Sequence, residues 1–363
     1  MIKGTTIWLP SYLAGRFGRR ASGQPVHILF CIVDHYEPDW GGAGLEEQLA
    51  RVERWVREYP RSARPHRDHD GRWPRYSFFY PAEAYQPQVM ERLAALCREG
   101  FGEVEVHLHH DGDTAESLAK KLEQAKADFA RHGLLSRDQA TGQVRFAFVH
   151  GNWALDNARS DGKWCGVNNE LEVLSRVGCY ADFTLPSAPS QTQTRKINSL
   201  YYAQDDPQRP KSHDTGRDVA VGGQGNGALL MIQGPLTLNW HRRKLGCFPR
   251  IENGELSAFN PPTPQRADLW IREAIHVQGR PDWVFVKIYT HGAKPANADV
   301  VLGRAMEEMW THLETAYNDG ARYQLHYVTA RELCNVVKAA ERGETGDPGR
   351  FRDTGLISPL SRS

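Results

Sequence analysis

The sequence predicts an α/β protein, a (β/α) barrel of seven or eight units, on three observations. About eight apolar runs of strand length recur between residues 26 and 328. Segments with helical spacing of apolar residues separate them. Imidazoles and carboxylates gather where two of the runs end. Such alternation implies a parallel sheet, and right-handed crossovers close naturally into a barrel.

Residues 26–33 are nearly all apolar, as expected of a strand covered on both faces. A helix over 45–57 follows, inside an insertion at 36–74 whose later part, 61–72, is polar. Residues 76–80 read as a second strand, and 86–98 as a helix through Val89, Leu93 and Leu96. Residues 104–109 form a third strand. The segment 114–131 is a helix, with Asp113 as a candidate N-cap and Gly133 just past its end. Residues 145–150 make a fourth strand, followed by a helix over 169–177 that Gly178 ends. Strands at 180–185 and 228–232 flank a second insertion, 186–227, rich in Gln, Thr, Asp and Gly. The glycine-rich residues 222–227 lack the Lys and the strand–helix context of a phosphate loop and read as a turn. A helix at 267–276, a strand at 283–289, one long helix at 298–317, a strand at 323–328 and a helix at 330–340 complete the series.

The expected organisation is an N-terminal arm (1–25), a single catalytic barrel domain (26–341) with insertions near 36–74 and 186–227, and a polar tail (342–363) that frays. Long insertions at strand ends commonly form binding loops. With 363 residues, 40% of them hydrophobic, the chain can bury a core of that size. A net charge of +1 leaves no basic excess for phosphates, so no nucleic-acid partner is expected. Arg16, Arg19 and Arg20, like Arg61, Arg64 and Arg67, read as solvated surface. No apolar stretch approaches a membrane span, and residues 5–10 are too short for a signal-peptide core, so a cytoplasmic location is expected. Trp8, Leu9, Tyr12, Leu13 and Phe17 read as an arm packed on the domain rather than a membrane contact. The six cysteines are scattered, without zinc-ribbon or redox spacing, and Cys31 and Cys97 read as buried small hydrophobes. Oligomeric state is not legible.

Two runs carry the chemistry. Val33-Asp34-His35-Tyr36-Glu37-Pro38 closes the first strand, and His107-Leu108-His109-His110-Asp111-Gly112-Asp113 closes the third. Open α/β sheets and barrels bind ligands at the carboxyl ends of their strands. Imidazole and carboxylate suit Zn²⁺ and similar divalent ions, so the first reading is a metal-dependent hydrolase. Strand alternation puts His107 and His109 on one face, which leaves His107 with Asp111 as a rival ligand register. At another strand end, His150, Asn152 and Trp153 are candidate substrate-binding residues. Trp153 suits stacking on a sugar face and Asn152 suits donation to an oxyanion, with Asp156 nearby. His27, His312 and His326 read as structural.

The order of these pieces resembles the polysaccharide deacetylase family, carbohydrate esterase family 4, over roughly residues 26–340. Asp34-His35 falls where that family has Asp-Asp after its first strand. Ser77-Phe78-Phe79-Tyr80-Pro81 is similar to its Thr-Phe-Phe strand. Glu105-Val106-His107-Leu108-His109-His110-Asp111-Gly112-Asp113 is similar to its Glu-Ile-Gly-x-His-x-x-x-His run, and Ile288-Tyr289-Thr290-His291 sits where it has Leu-x-His. The second aspartate of the first motif is His35 here, the second histidine of the next motif is Asp113, and the family's Arg-Pro-Pro run is absent. The resemblance implies a distorted (β/α) barrel that removes an acyl group from a sugar or a related amide or ester. It implies a divalent metal, most readily zinc, on His35, His109 and Asp113, with Asp34 as general base and His291 protonating the leaving group. His107 would then line the substrate site, and Asp113 alternatively caps its helix. Glycoside hydrolysis by paired carboxylates is a second enzymatic reading. A catalytically silent barrel that binds carbohydrate in a glycan-assembly complex is the third, and the altered motif residues favour it.

Overall fold

The apolar run that opens the domain is a ten-residue strand, Val26–His35 (β1), and every residue of it is buried. Its side chains alternate between two cores, Ile28, Phe30 and Ile32 entering one and Leu29, Cys31 and Val33 the other. The structure is a computed structural model that describes residues 4–15, 21–23, 25–358 and 360.

A helix, α1 (Thr5–Gly15), precedes β1. After β1 come α2 (Leu45–Ala63), β2 (Tyr76–Pro81), α3 (Pro87–Arg98), β3 (Gly102–Leu108), α4 (Ala115–Ala130), β4 (Ser136–Asp138) and β5 (Val144–His150). The middle of the chain holds α5 (Glu170–Arg176), β6 (Cys179–Asp182), β7 (Leu200–Ala203), β8 (Arg217–Asp218), β9 (Leu229–Ile232), β10 (Thr237–Lys244), β11 (Phe248–Glu252) and β12 (Glu255–Leu256). Then follow α6 (Pro264–Arg272), β13 (Trp283–Thr290), α7 (Pro295–Val301), α8 (Arg304–Tyr317), β14 (Tyr323–Val328), α9 (Ala330–Glu341) and β15 (Leu356–Ile357).

Thirteen strands form one mostly parallel sheet, in the order β12-β13-β1-β2-β3-β5-β6-β9-β7-β8 with β14 beside β1. One edge of β1 pairs with β13. Its other edge is divided, residues 26–31 pairing with β14 and residues 32–35 with β2. Helices α2 to α8 cover the face that carries Ile28 and Phe30, whereas α9 packs on the other.

Among the described residues no strand ladder closes this sheet on itself, since β12 and β8 remain its ends. A side chain reaches across instead. Lys287 of β13 is buried and donates to the carbonyls of Phe183 (2.8 Å) and Leu185 (2.6 Å), just beyond β6. Burial brings the Lys287 amine down to about 7.

Several expectations change. The long helix expected over 298–317 is two, because Gly303 is extended; a Cβ there would lie 2.5 Å from the Asp299 carbonyl oxygen. The N-cap of α4 is Thr114, not Asp113, and it forms a reciprocal capping box with Ser117. The insertion after β6 contributes β7 and β8 to the sheet, and β10 with β11 forms an unforeseen antiparallel pair. The tail expected to fray is docked, with Arg352 buried against Asp68, Asp70 and the Tyr327 carbonyl. In the arm, Trp8 and Tyr12 pack against Ala188, Ile197 and Leu236. Arg16, Phe17, Arg19 and Arg20 lie outside the described residues. Arg61, Arg64 and Arg67 are exposed. No helix among the described residues is long and apolar enough to cross a membrane.

Candidate metal centre at the strand ends

The carboxyl ends of β1, β3 and β13 converge. His107, the penultimate residue of β3, and His109, just past its end, keep the strand's alternation, with ring centroids 4.6 Å apart. Glu37, two residues past the end of β1, reaches both. Its Oε1 is 3.4 Å from His107 Nε2 and 3.3 Å from His109 Nε2. Each of the three offers a ligand atom within 4.8 Å of the others, so they could hold a metal ion. His35, same-faced with Glu37, brings its ring to 5.0 Å from His107 and 4.7 Å from His291. Trp153 closes one side, 5.3 Å from His35 and 5.6 Å from His291. Exposed Trp40 stands 6.5 Å from His291, with Lys294 Nζ 3.1 Å over its ring.

The electrostatics follow from burial and these pairs. Burial pushes the Glu37 carboxyl up, but the two imidazoles outweigh it and hold the group well below the carboxylate range. Burial lowers His109, yet Glu37 and Glu83 overcome it and raise the imidazole to about 9; the Glu83 contact is 2.5 Å. His35 is driven well below its ordinary value, first by burial and then by His291 and His107. Burial brings His291 down to about 3 and pushes Asp34 up to about 8, the latter against a hydrogen bond from the Gly292 N–H (2.7 Å). Burial thus favours the neutral form of each group, a protonated Asp34 carboxyl and an unprotonated His291 imidazole. Asp34 holds the main chain immediately after His291, and glycine is needed there: a Cβ on Gly292 would lie 2.3 Å from Asp34 Oδ2.

Of the residues singled out from the sequence, Asp34, His35, His107, His109, Trp153 and His291 gather at this end of the sheet. Asp113 does not join the Glu37 group. Its carboxylate is taken by Ser117 (2.7 Å), Lys121 (2.7 Å) and His110 (3.1 Å), because the backbone turns away into α4. The rival Asp111 is exposed and accepts the Trp164 N–H. His150 points to the opposite face of β5, where its ring lies 4.7 Å from that of His110. The Asn152 N–H donates to His150 Nδ1 (3.3 Å). Glu37 stands in the first run beyond the Asp34-His35 pair of the motif; the two-residue period of a strand, which places it with His35, is the sequence signal for it.

Two further groups could hold a metal ion. One comprises His110, His150, Cys165 and Glu170, all buried. The other is His27, His326 and Asp347 at the opposite strand ends, where His326 already binds Asp70 (2.9 Å). No protein-family model matches the chain, and no curated protein matches it.

Proposed function

We propose that the protein is a metal-dependent hydrolase of polysaccharide-deacetylase type that removes an acyl group from a sugar or a related amide or ester. The observation that carries this reading is the Glu37, His107 and His109 group, set beside His35, His291 and two tryptophans at the carboxyl ends of parallel strands. The donor set suits a borderline ion such as zinc. It also has unused capacity, since Glu37 Oε2, His107 Nδ1 and His35 Nδ1 are buried without a hydrogen-bond partner among the described residues. Glu37, His107 and His109 would hold the ion, with His35 adjacent. A divalent ion supplies Lewis acidity there, polarising a carbonyl oxygen and making water more acidic.

The remaining work falls to the chain. Trp40 and Trp153 offer faces for a sugar ring. His291 presents an imidazole beside His35 for proton transfer at the leaving group, and Asp34 keeps Oδ2 free for a proton while Oδ1 holds Gly292. Base duty for Asp34 requires it to give up the proton that burial leaves on it. The converse assignment, His291 as base with Asp34 positioning it, needs no such change. The same reading takes the sheet as a distorted barrel whose seam Lys287 bridges, and the protein as cytoplasmic.

The test is metal content after reconstitution, joined to acetate release from a panel of N- and O-acetylated sugars. One ion lost in His109→Ala, together with turnover that Asp34→Asn and His291→Ala reduce about 10²–10⁴-fold without loss of metal, supports the reading. Wild-type protein that binds the ion at Glu37 but hydrolyses nothing favours the silent carbohydrate-binding alternative. No ion at Glu37 removes the reading altogether.

A further inference from the structure

We propose that His110, His150, Cys165 and Glu170 form a separate, closed zinc site of structural type, which fastens the loop between β5 and α5 to the ends of β3 and β5. The four ligands come from four places: just after β3, the last residue of β5, the middle of the loop, and the first residue of α5. All are buried, Cys165, His150 and Glu170 completely. Their ligand atoms lie within 4.8 Å of one another, against the about 3.3–3.8 Å that tetrahedral zinc with these donors requires. The contraction is small and pulls on contacts already made. His110 Nε2 is 3.1 Å from Glu170 Oε1, and Cys165 Sγ is 3.2 Å from Glu170 Oε2.

The surroundings are those of a metal site. Asp113 stands 3.1 Å from His110 Nδ1 but out of hydrogen-bond alignment, so that nitrogen is buried without a hydrogen-bond partner among the described residues; a small turn of the ring on ligation would make Asp113 the carboxylate behind the imidazole. The backbone N–H groups of Asn157 (3.3 Å) and Val167 (3.4 Å) both point at the Cys165 sulfur and would stabilise a thiolate. His150 Nε2 is buried without a hydrogen-bond partner among the described residues. Ligation through it moves the ring proton to Nδ1 and displaces only the long Asn152 contact. Thiolate and carboxylate together cancel the charge of Zn²⁺, so the ion enters the interior as a neutral assembly. Four protein ligands and no exposure leave no position for substrate, which distinguishes this centre from the more open one at Glu37.

A staple here has a clear load. The loop holds Trp153, Asp156, Asn157 and Trp164 at positive φ, each a costly conformation for a residue with a side chain. Trp153 in that state forms the wall beside His35 and His291.

Cobalt substitution tests the site without reference to activity. The Glu37 group contains no sulfur, so a thiolate-to-cobalt charge-transfer band reports Cys165 alone, whether or not the first centre binds metal. Titrating chelator-treated protein with Co²⁺ should give this band with the intense visible absorption of a tetrahedral ion. It should vanish in Cys165→Ser and persist in His107→Ala and in Cys247→Ser, which alters the exposed cysteine. Should Cys165→Ser fail to fold, alkylation of the wild-type protein in mild urea, mapped by peptide mass, decides. Zinc should slow modification of Cys165 at least tenfold more than that of Cys31. No sulfur band in the cobalt-loaded wild type, a band that survives Cys165→Ser, or equal zinc protection of the two cysteines overturns the proposal.

Discussion

Replacing Asp34 by Asn should remove one pH-dependent contribution to stability, and the size of the effect follows from the burial of one carboxyl. Asp34 is fully buried, and its folded value of about 8 stands far above the ordinary 3.8. Between those values the folded chain keeps a proton that the unfolded chain has lost. Stability therefore falls as pH rises, by about 1.4 kcal/mol per pH unit, and the whole window amounts to roughly 6 kcal/mol. That is comparable with the total stability of many domains. The contribution is fully present below the unfolded value and is gone above about pH 8. Asparagine keeps an acceptor for the Gly292 N–H but does not titrate. The assay is urea unfolding of the chelator-treated wild type and Asp34→Asn at intervals from about pH 5 to about pH 9. Glu105 and Asp182, pushed by burial to about 8 and about 6, act in the same direction in both proteins and cancel in the difference. The difference should swing towards the variant as pH rises and level off above about pH 8. A difference that stays flat across this range would refute the assignment of a protonated, buried Asp34.

Three further outcomes are expected. Glu37→Gln removes one of the two carboxylates that hold His109 charged, so the His109 imidazole, followed by NMR in metal-free protein, should titrate about one unit or more below its present value of about 9; an unchanged titration would mean that Glu83 alone sets it. Gly151→Ala would place a Cβ 2.4 Å from the His109 ring, and thermal melts should show a loss of about 1–3 kcal/mol with weaker zinc binding by calorimetry. Arg331→Ala takes from buried Glu103 three hydrogen bonds of 2.8, 3.0 and 3.1 Å and leaves it the Thr329 hydroxyl and the more distant Arg75 (3.7 Å); it should cost about 3 kcal/mol in urea unfolding, and part of that should be recovered when Glu103→Leu is combined with Arg331→Met.

The strands that build the site were legible because continuous apolar runs leave few alternatives: residues 26–33, 145–150 and 323–328 all belong to strands of the sheet. The candidate donors at the ends of the first and third strands were legible for the same reason, since His35, His107 and His109 are local to them. Long-range partners were not. Glu170 meets His110 across 60 residues of sequence, and nothing local marks Cys165 as its neighbour. Charged residues inside the fold were also hidden. Lys287 sits in an apolar strand, and nothing local to Arg331 or Arg352 marks either as buried until their acidic partners, Glu103 and Asp68, are in view. Asp113 misled because its place in a motif said nothing of the turn into α4, which hands its carboxylate to Ser117 and Lys121.

The shared edge of β1 has a consequence for how the molecule is made. Two of the three neighbours of this strand, β13 and β14, are made about 250 or more residues later, from residues 283–328. At about 5–20 residues per second, the hydrogen-bonding groups of one edge and those of residues 26–31 on the other wait roughly 15–60 s for their partners. Contacts of such long sequence separation also slow the final assembly. Throughout that interval the nascent chain carries a ten-residue sticky ribbon, which makes β1 the segment where a holdase would bind to most effect, and truncation before residue 283 would leave that ribbon exposed to aggregation.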